Sequence, residues 1–131
     1  MIKVLHFKTA LFDVTKEKEN PYNPIHGISL LDWLREELKG QLEITEPDAE
    51  DWGWYSEIEF DDNTYLIGSC AFYEEGEDLT SELDWAFQIH KYRSFKEKLL
   101  GRNKMDDTDS CFLFFKNLFE NHSGFSELLV E

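Results

Sequence analysis

With 131 residues, 41% of them hydrophobic and 15% aromatic, the chain is long enough to bury a core, and this composition excludes extensive disorder. We expect a single α+β domain over residues 1–131. Lys3, His6 and Lys8 interrupt the apolar amino end, and the longest apolar run, Cys111 to Phe115, is far too short to span a bilayer. We therefore expect neither a signal peptide nor a membrane span.

The net charge of −15 arises in the middle of the chain. No Lys or Arg lies between Lys39 and Lys91, a window that holds fifteen carboxylates, and the other 13 acids balance the 13 bases. Such a field repels nucleic-acid phosphates and anionic lipid. It predicts a basic protein partner and no direct binding to nucleic acid or membrane. The alternative is that the acids serve solubility alone.

Four elements are predicted in the first third of the chain: a strand, a loop, a helix and a short strand. They cover residues 2–12, 15–27, 30–39 and 42–44. Pro21 and Pro24 keep the loop irregular. Ser29 is the predicted cap of the helix, and Gly40 is its predicted stop.

The next segment, EDWGWYSEIEF from Glu50 to Phe60, alternates with the period of a half-buried strand. One face would carry Trp52, Trp54, Ser56, Ile58 and Phe60, and the other Gly53, Tyr55, Glu57 and Glu59. We expect a turn at Asp62-Asn63 that leads into a second strand over residues 64–73. That turn would place Phe60 opposite Tyr65, Ile58 opposite Ile67 and Trp54 opposite Ala71.

The remaining pattern predicts a third long strand at Leu83–Lys91, a short capped helix after Ser94, a helix from Thr108 or Asp109 to Gly124, and a last strand at Phe125–Val130. The resulting order is β-α-β-β-β-α-β. It indicates an α+β fold with a mostly antiparallel sheet of about five strands and two main helices on one face.

No motif in the sequence specifies a chemistry. The histidines His6, His26, His90 and His122 lack metal-type spacing, and the acidic cluster at 106–109 suits a helix amino terminus better than a cation site. Cys70 and Cys111 lie outside any CxxC motif, so we expect reduced thiols in a cytoplasmic protein. We expect no catalytic residue, cofactor or metal ligand.

The outward face of the predicted sheet is the candidate contact surface, because it mixes aromatic and acidic side chains. The predicted partner-binding residues are Tyr55, Glu57, Glu59, Leu66, Phe72, Gln88 and His90. The alternative is that the last strand, the 15–27 loop or the second copy in a homodimer covers these side chains.

The acidic lead-in EDWGW, the strands after it and the Phe-rich terminal helix are similar to small cytoplasmic immunity proteins of bacterial toxin systems. The resemblance covers roughly the middle half of the chain and transfers no functional residue. It implies neutralisation of a cognate toxin, often a nuclease with a basic cleft. Two other functions stay open: a DNA mimic that inhibits a nucleic-acid-binding protein, and a small enzyme.

Overall fold

The computed structural model describes residues 2–131, which form a six-stranded antiparallel sheet and three α-helices. The strands are β1 (Ile2–Thr9), β2 (Asp48–Glu50), β3 (Gly53–Phe60), β4 (Asn63–Phe72), β5 (Leu83–Lys91) and β6 (Phe125–Val130). The helices are α1 (Ile28–Glu37), α2 (Phe95–Leu100) and α3 (Ser110–Asn121), and a 3-10 turn covers Val14–Lys16. The strands lie side by side in the order β2-β3-β4-β5-β1-β6. The α+β class and the largely antiparallel sheet are confirmed.

The core lies between one face of the sheet and the helices α1 and α3. Alternate residues of the long strands point into it, as the alternation predicts, and so do the apolar stripes of both helices. Its largest fully buried side chains include Trp54, Trp85, Tyr65, Phe7, Phe87, Phe115 and Phe119. Aromatic rings join α3 to the sheet: Phe115 is 5.0 Å from Phe87, and Phe119 is 4.6 Å from Phe7, centroid to centroid.

The amino-terminal caps agree with the prediction in two cases out of three, but α1 ends at Glu37 instead of Lys39, and α3 ends at Asn121 instead of Gly124. Asp109 accepts the Phe112 N–H and so caps α3, and Ser94 forms the predicted capping box. For α1 the prediction is wrong, because the helix begins at Ile28 rather than after Ser29. The carboxylate of Glu17 caps it instead and accepts the N–H of Gly27 at 2.8 Å and that of Ser29 at 2.9 Å. None of the helices in residues 2–131 is long and apolar enough to cross a membrane.

The predicted register of the central hairpin is wrong by two residues. Asp61 and Asp62 both adopt positive φ, at 48° and 63°, so the two-residue turn lies one position earlier than predicted. Phe60 therefore pairs with Asn63, and Trp54 lies opposite Ser69 instead of Ala71. A carboxylate side chain tolerates the left-handed region well enough for this turn type. Because the shift is even, every side chain of β4 stays on its predicted face.

Two other local predictions are corrected. Trp52 does not share the face of Trp54, because it lies in the turn between β2 and β3, and its indole packs over Gly68 on the opposite side of the sheet. Residues 42–44 are not a strand: Ile44 makes only an isolated bridge to Ile58, and the added strand β2 pairs with β3 through Ala49 and Trp54.

Candidate protein-binding surface

The sheet face opposite α1 and α3, which we call the open face, carries all seven predicted contact residues. The register lines them up in rows across the strands. One row joins Glu57 of β3, Leu66 of β4 and His90 of β5, and the next joins Tyr55, Gly68 and Gln88. Strand β1 continues the two rows with Ile2 and Val4. Five of the predicted residues, Tyr55, Glu57, Leu66, Gln88 and His90, therefore form one contiguous group.

The other two predicted residues lie at opposite ends of this face. Glu59 pairs with Thr64 at the start of β4, whereas Phe72 pairs with Asp84 at its end. Eight strand positions separate Thr64 from Phe72, a span of roughly 27 Å at the usual rise per residue. A single partner would have to cover most of the length of β4 to contact both.

A shallow depression of about 440 Å³ occupies the centre of the open face. Its lining includes the predicted residues Leu66, Phe72, Gln88 and His90 together with Ile2, Val4, Trp52, Gly68, Ser69, Cys70 and Ala86. The contribution of Trp52 was missed. A Cβ atom at Gly68 would lie 2.4 Å from its indole, so the glycine makes room for the ring. An interior strand glycine is a known sign of such close approach, and this signal was present in the sequence.

Within residues 2–131, neither the last strand nor the 15–27 loop contributes to the lining of this depression. Strand β6 extends the sheet beside β1 instead of lying across it, and the loop before α1 is tied to the β2–β3 turn by Asn20, which donates to the carbonyls of Glu50 and Gly53. Two large apolar side chains are consequently exposed by about half, Phe72 at 51% and Ile2 at 47%.

The β3 side of the open face is the acidic side. Within residues 2–131, none of the fifteen carboxylates between Lys39 and Lys91 takes part in an ion pair. Burial raises the pKa of Tyr55, and the negative charges of Asp48, Glu50 and Glu57 raise it further. These three carboxylates therefore make the electrostatic potential around the Tyr55 hydroxyl negative.

The opposite side of the face carries charges of both signs, and the negative charges of Glu127, Asp84 and Glu82 raise the pKa of Lys8. Lys8 of β1 lies 3.3 Å from the carboxylate of Glu127, and the imidazole of His6 contacts the carboxylate of Glu131. Burial lowers the pKa of His90, which the charge of Lys98 lowers further. The two sides of the open face thus differ in pairing: two carboxylates at β6 have a basic partner on β1, whereas those of β3 form no ion pair within residues 2–131.

A larger groove, of about 680 Å³, lies beside the end of α1. Charged and polar side chains dominate its lining, which contains no aromatic residue, and Arg35 at its wall donates to the carbonyl of Ile44 at 3.1 Å. It lacks the apolar anchors that protein contact surfaces usually carry.

Groups suited to chemistry do not gather at the open face. Over the described residues, 2–131, no three His, Cys, Asp or Glu side chains converge in a way that could hold a metal ion. Burial raises the pKa of the Cys70 thiol to about 11, so its reactive thiolate is scarce at neutral pH. The acidic cluster at 106–109 serves the chain locally: Asp106 accepts from Thr108, and Asp109 caps α3.

Comparison with family models, with curated proteins and with solved structures finds no match for this chain. The resemblance to bacterial immunity proteins therefore stays a prediction.

Proposed function

We propose that this chain is a non-enzymatic binding protein whose open face docks on a basic surface of a partner protein. One observation carries the proposal: an apolar depression lies on the same face as the carboxylates of Glu57 and Glu59, which form no ion pair within residues 2–131. A side chain that stabilises the fold would be buried or paired. Phe72 and Ile2 are exposed by about half, and Glu57 and Glu59 form no ion pair within residues 2–131, so an external partner explains their arrangement better.

The two kinds of residue would act at different stages of binding. Carboxylates such as Glu57 and Glu59 attract a basic surface over a distance and accelerate encounter. The half-exposed Phe72 and the partly buried Leu66 and Trp52 then lose water on contact. Aromatic anchors that become buried in this way dominate the lifetime of protein complexes.

The partner class follows from the resemblance in the sequence and is part of the proposal. We propose a bacterial toxin with a basic cleft, neutralised in the cytoplasm. The acidic field that attracts such a cleft would disfavour direct contact with nucleic acid or anionic lipid.

A DNA mimic, the alternative inhibitor, would present rows of carboxylates over its contact face. The open face has an apolar centre with acids concentrated at β3, which favours an ordinary protein contact. The two functions differ in an observable way, because only a protein contact would depend strongly on Phe72 and Tyr55.

The partner can be captured by a photo-crosslinking amino acid placed at Phe72 in the native host. The matched control position is Leu113, an exposed residue on α3 behind the sheet. We expect Phe72, and not Leu113, to yield a defined adduct whose mass identifies a basic protein. Equal yields at both positions, or an acidic adduct, would argue against this surface.

Binding kinetics with the captured partner then test the two stages. Glu57→Lys and Glu59→Lys should each lower the association rate by about 10-fold at low salt. Tyr55→Ala and Phe72→Ala should mainly raise the dissociation rate, by about 10- to 30-fold. Glu37→Lys on α1 makes the same charge change on the opposite layer and should leave the rates close to wild type. If all four variants also bind like wild type, the open face is not the contact surface.

A further inference from the structure

Helix α2 exposes apolar side chains that the fold does not use. Phe95 is 82% exposed and Leu99 is 72% exposed, and none of the six residues of the helix is buried. Residues four apart lie on one side of a helix, so the two side chains form a single apolar ridge. Leu100 beside it is 51% exposed. Large apolar side chains grouped in this way typically mark a contact site.

The ridge is held in an ordered conformation by local hydrogen bonds. Ser94 and Glu97 form a capping box, and Gly101 ends the helix in the left-handed conformation with φ 65°. Arg93 donates to the carbonyl of Arg102 at 3.0 Å and to that of Glu97 at 3.1 Å. A six-residue helix has little stability of its own. These contacts therefore present Phe95 and Leu99 to solvent in a defined position without any help from the core.

Positive charge surrounds the same ridge. Residues 92–104 contain five cationic side chains and one carboxylate, a net charge of +4 in a chain whose other residues sum to −19. The cations are Arg93, Lys96, Lys98, Arg102 and Lys104. A surface that complements α2 must be apolar at its centre and acidic beside it.

The open face of a second copy has this composition. We propose that α2 of one copy docks into the depression of the open face of another, with Phe95 and Leu99 against Phe72, Leu66 and Trp52 and with the cations of α2 facing the carboxylates of β3.

The position of α2 makes the contact reciprocal. The helix begins just after β5, and the ring of Tyr92 between them lies 5.5 Å from that of His90 on the open face. Lys98 of α2 acts electrostatically on the same histidine. The inserting helix and the receiving depression therefore adjoin, so one two-fold axis can form two equivalent contacts and close the assembly as a dimer.

The dimer would cover the surface that we propose binds a basic partner. Helix α2 would then occupy the open face until the partner displaces it. Self-association does not depend on the identity of that partner, or on its existence, so either proposal can fail alone.

Sedimentation equilibrium of the full chain tests the proposal, over about 1 µM to 1 mM protein and at about 0.15 M salt, where repulsion between the two acidic copies is screened. We expect a reversible monomer–dimer equilibrium. Phe95→Ser combined with Leu99→Ser should weaken it by at least about 30-fold, and so should Phe72→Ser. Leu113→Ser removes a leucine of α3 that is 37% exposed and should leave the equilibrium unchanged. Circular dichroism verifies that each variant is folded.

Mixing the variants tests which surfaces meet. The Phe95→Ser/Leu99→Ser chain keeps its depression, and the Phe72→Ser chain keeps its helix ridge, so together they should form a heterodimer with one of the two contacts. A wild-type chain that stays monomeric throughout the concentration range overturns the proposal. So does a dimer that the ridge substitutions do not weaken, or a mixture that does not associate more strongly than its components. The monomeric ridge variant retains an intact open face and is the form to use in the partner-binding kinetics.

Discussion

The carboxylate of Asp109 makes three hydrogen bonds, so replacing it by Asn should be strongly destabilising. One oxygen accepts the Phe112 N–H at 3.0 Å, and the other accepts the Tyr65 hydroxyl at 2.9 Å and the Lys91 ammonium at 3.1 Å. The side chains of Lys91 and Asp109 are only 8% and 2% exposed. Asn can still cap the helix through its carbonyl oxygen. The substitution therefore keeps the helix cap but removes the negative charge and the acceptor oxygen that Tyr65 and Lys91 contact.

The expected cost follows from that uncompensated charge. Breaking a buried ion pair by removing one partner usually costs about 3–5 kcal/mol, and we expect Asp109→Asn to fall in this range. Lys91→Met should cost less, about 1–3 kcal/mol, because the carboxylate keeps its bonds from Tyr65 and Phe112. The double variant should cost no more than Asp109→Asn alone, since neither buried charge remains.

Urea unfolding followed by tryptophan fluorescence measures these differences in the free energy of unfolding. In a thermal melt, we expect Asp109→Asn to lower the Tm by roughly 10–20 °C. The matched control is the pair Lys116–Glu120 on α3, which has the same 3.1 Å separation but side chains 33% and 42% exposed. Glu120→Gln should cost no more than about 0.5 kcal/mol. If Asp109→Asn is as mild as Glu120→Gln, the argument from burial is refuted.

Four further expectations concern β3 and β4. Trp54 is 1% exposed, so Trp54→Ala should cost about 3–5 kcal/mol, and a melt that matches wild type would contradict its place in the core. The hydroxyl of Ser56 is buried without a partner among the protein atoms of residues 2–131, so Ser56→Ala should be neutral or stabilise by up to about 1 kcal/mol in urea unfolding, whereas a clear loss would reveal an overlooked hydrogen bond. Gly68→Ala should displace the indole of Trp52 from the open face and alter its fluorescence at little cost in stability, and an unchanged spectrum would argue against their close approach. Burial raises the pKa of the Cys70 thiol to about 11, so at pH 8 it should react with iodoacetamide on the order of 100-fold more slowly than a free cysteine. The rate should rise as the pH approaches 11. A fast reaction at pH 8 would contradict the effect of burial.

Local patterns in the sequence determined the long strands, the helices and the faces of the long strands. The bounds of β5 and β6 agree with the prediction, because alternation of side chains and flanking turn residues are properties of a few neighbouring positions. The caps at Ser94 and Asp109 were predictable for the same reason, because each side chain bonds a backbone N–H only three residues further along the chain. The alternation of side chains along each strand was also sufficient to predict that the seven contact residues lie on one side of the sheet.

Tertiary structure decided what depends on distant residues. The cap of α1 comes from Glu17, ten positions before Gly27, and no local pattern marks that pairing. The hairpin register depended on which two polar residues adopt positive φ, a choice that Asp61, Asp62 and Asn63 left open because all three tolerate that conformation. Trp52 lies on the open face because the turn between β2 and β3 directs its indole over Gly68. The contact between Trp52 and Gly68 depends on the pairing of β3 with β4, so no local pattern predicts it.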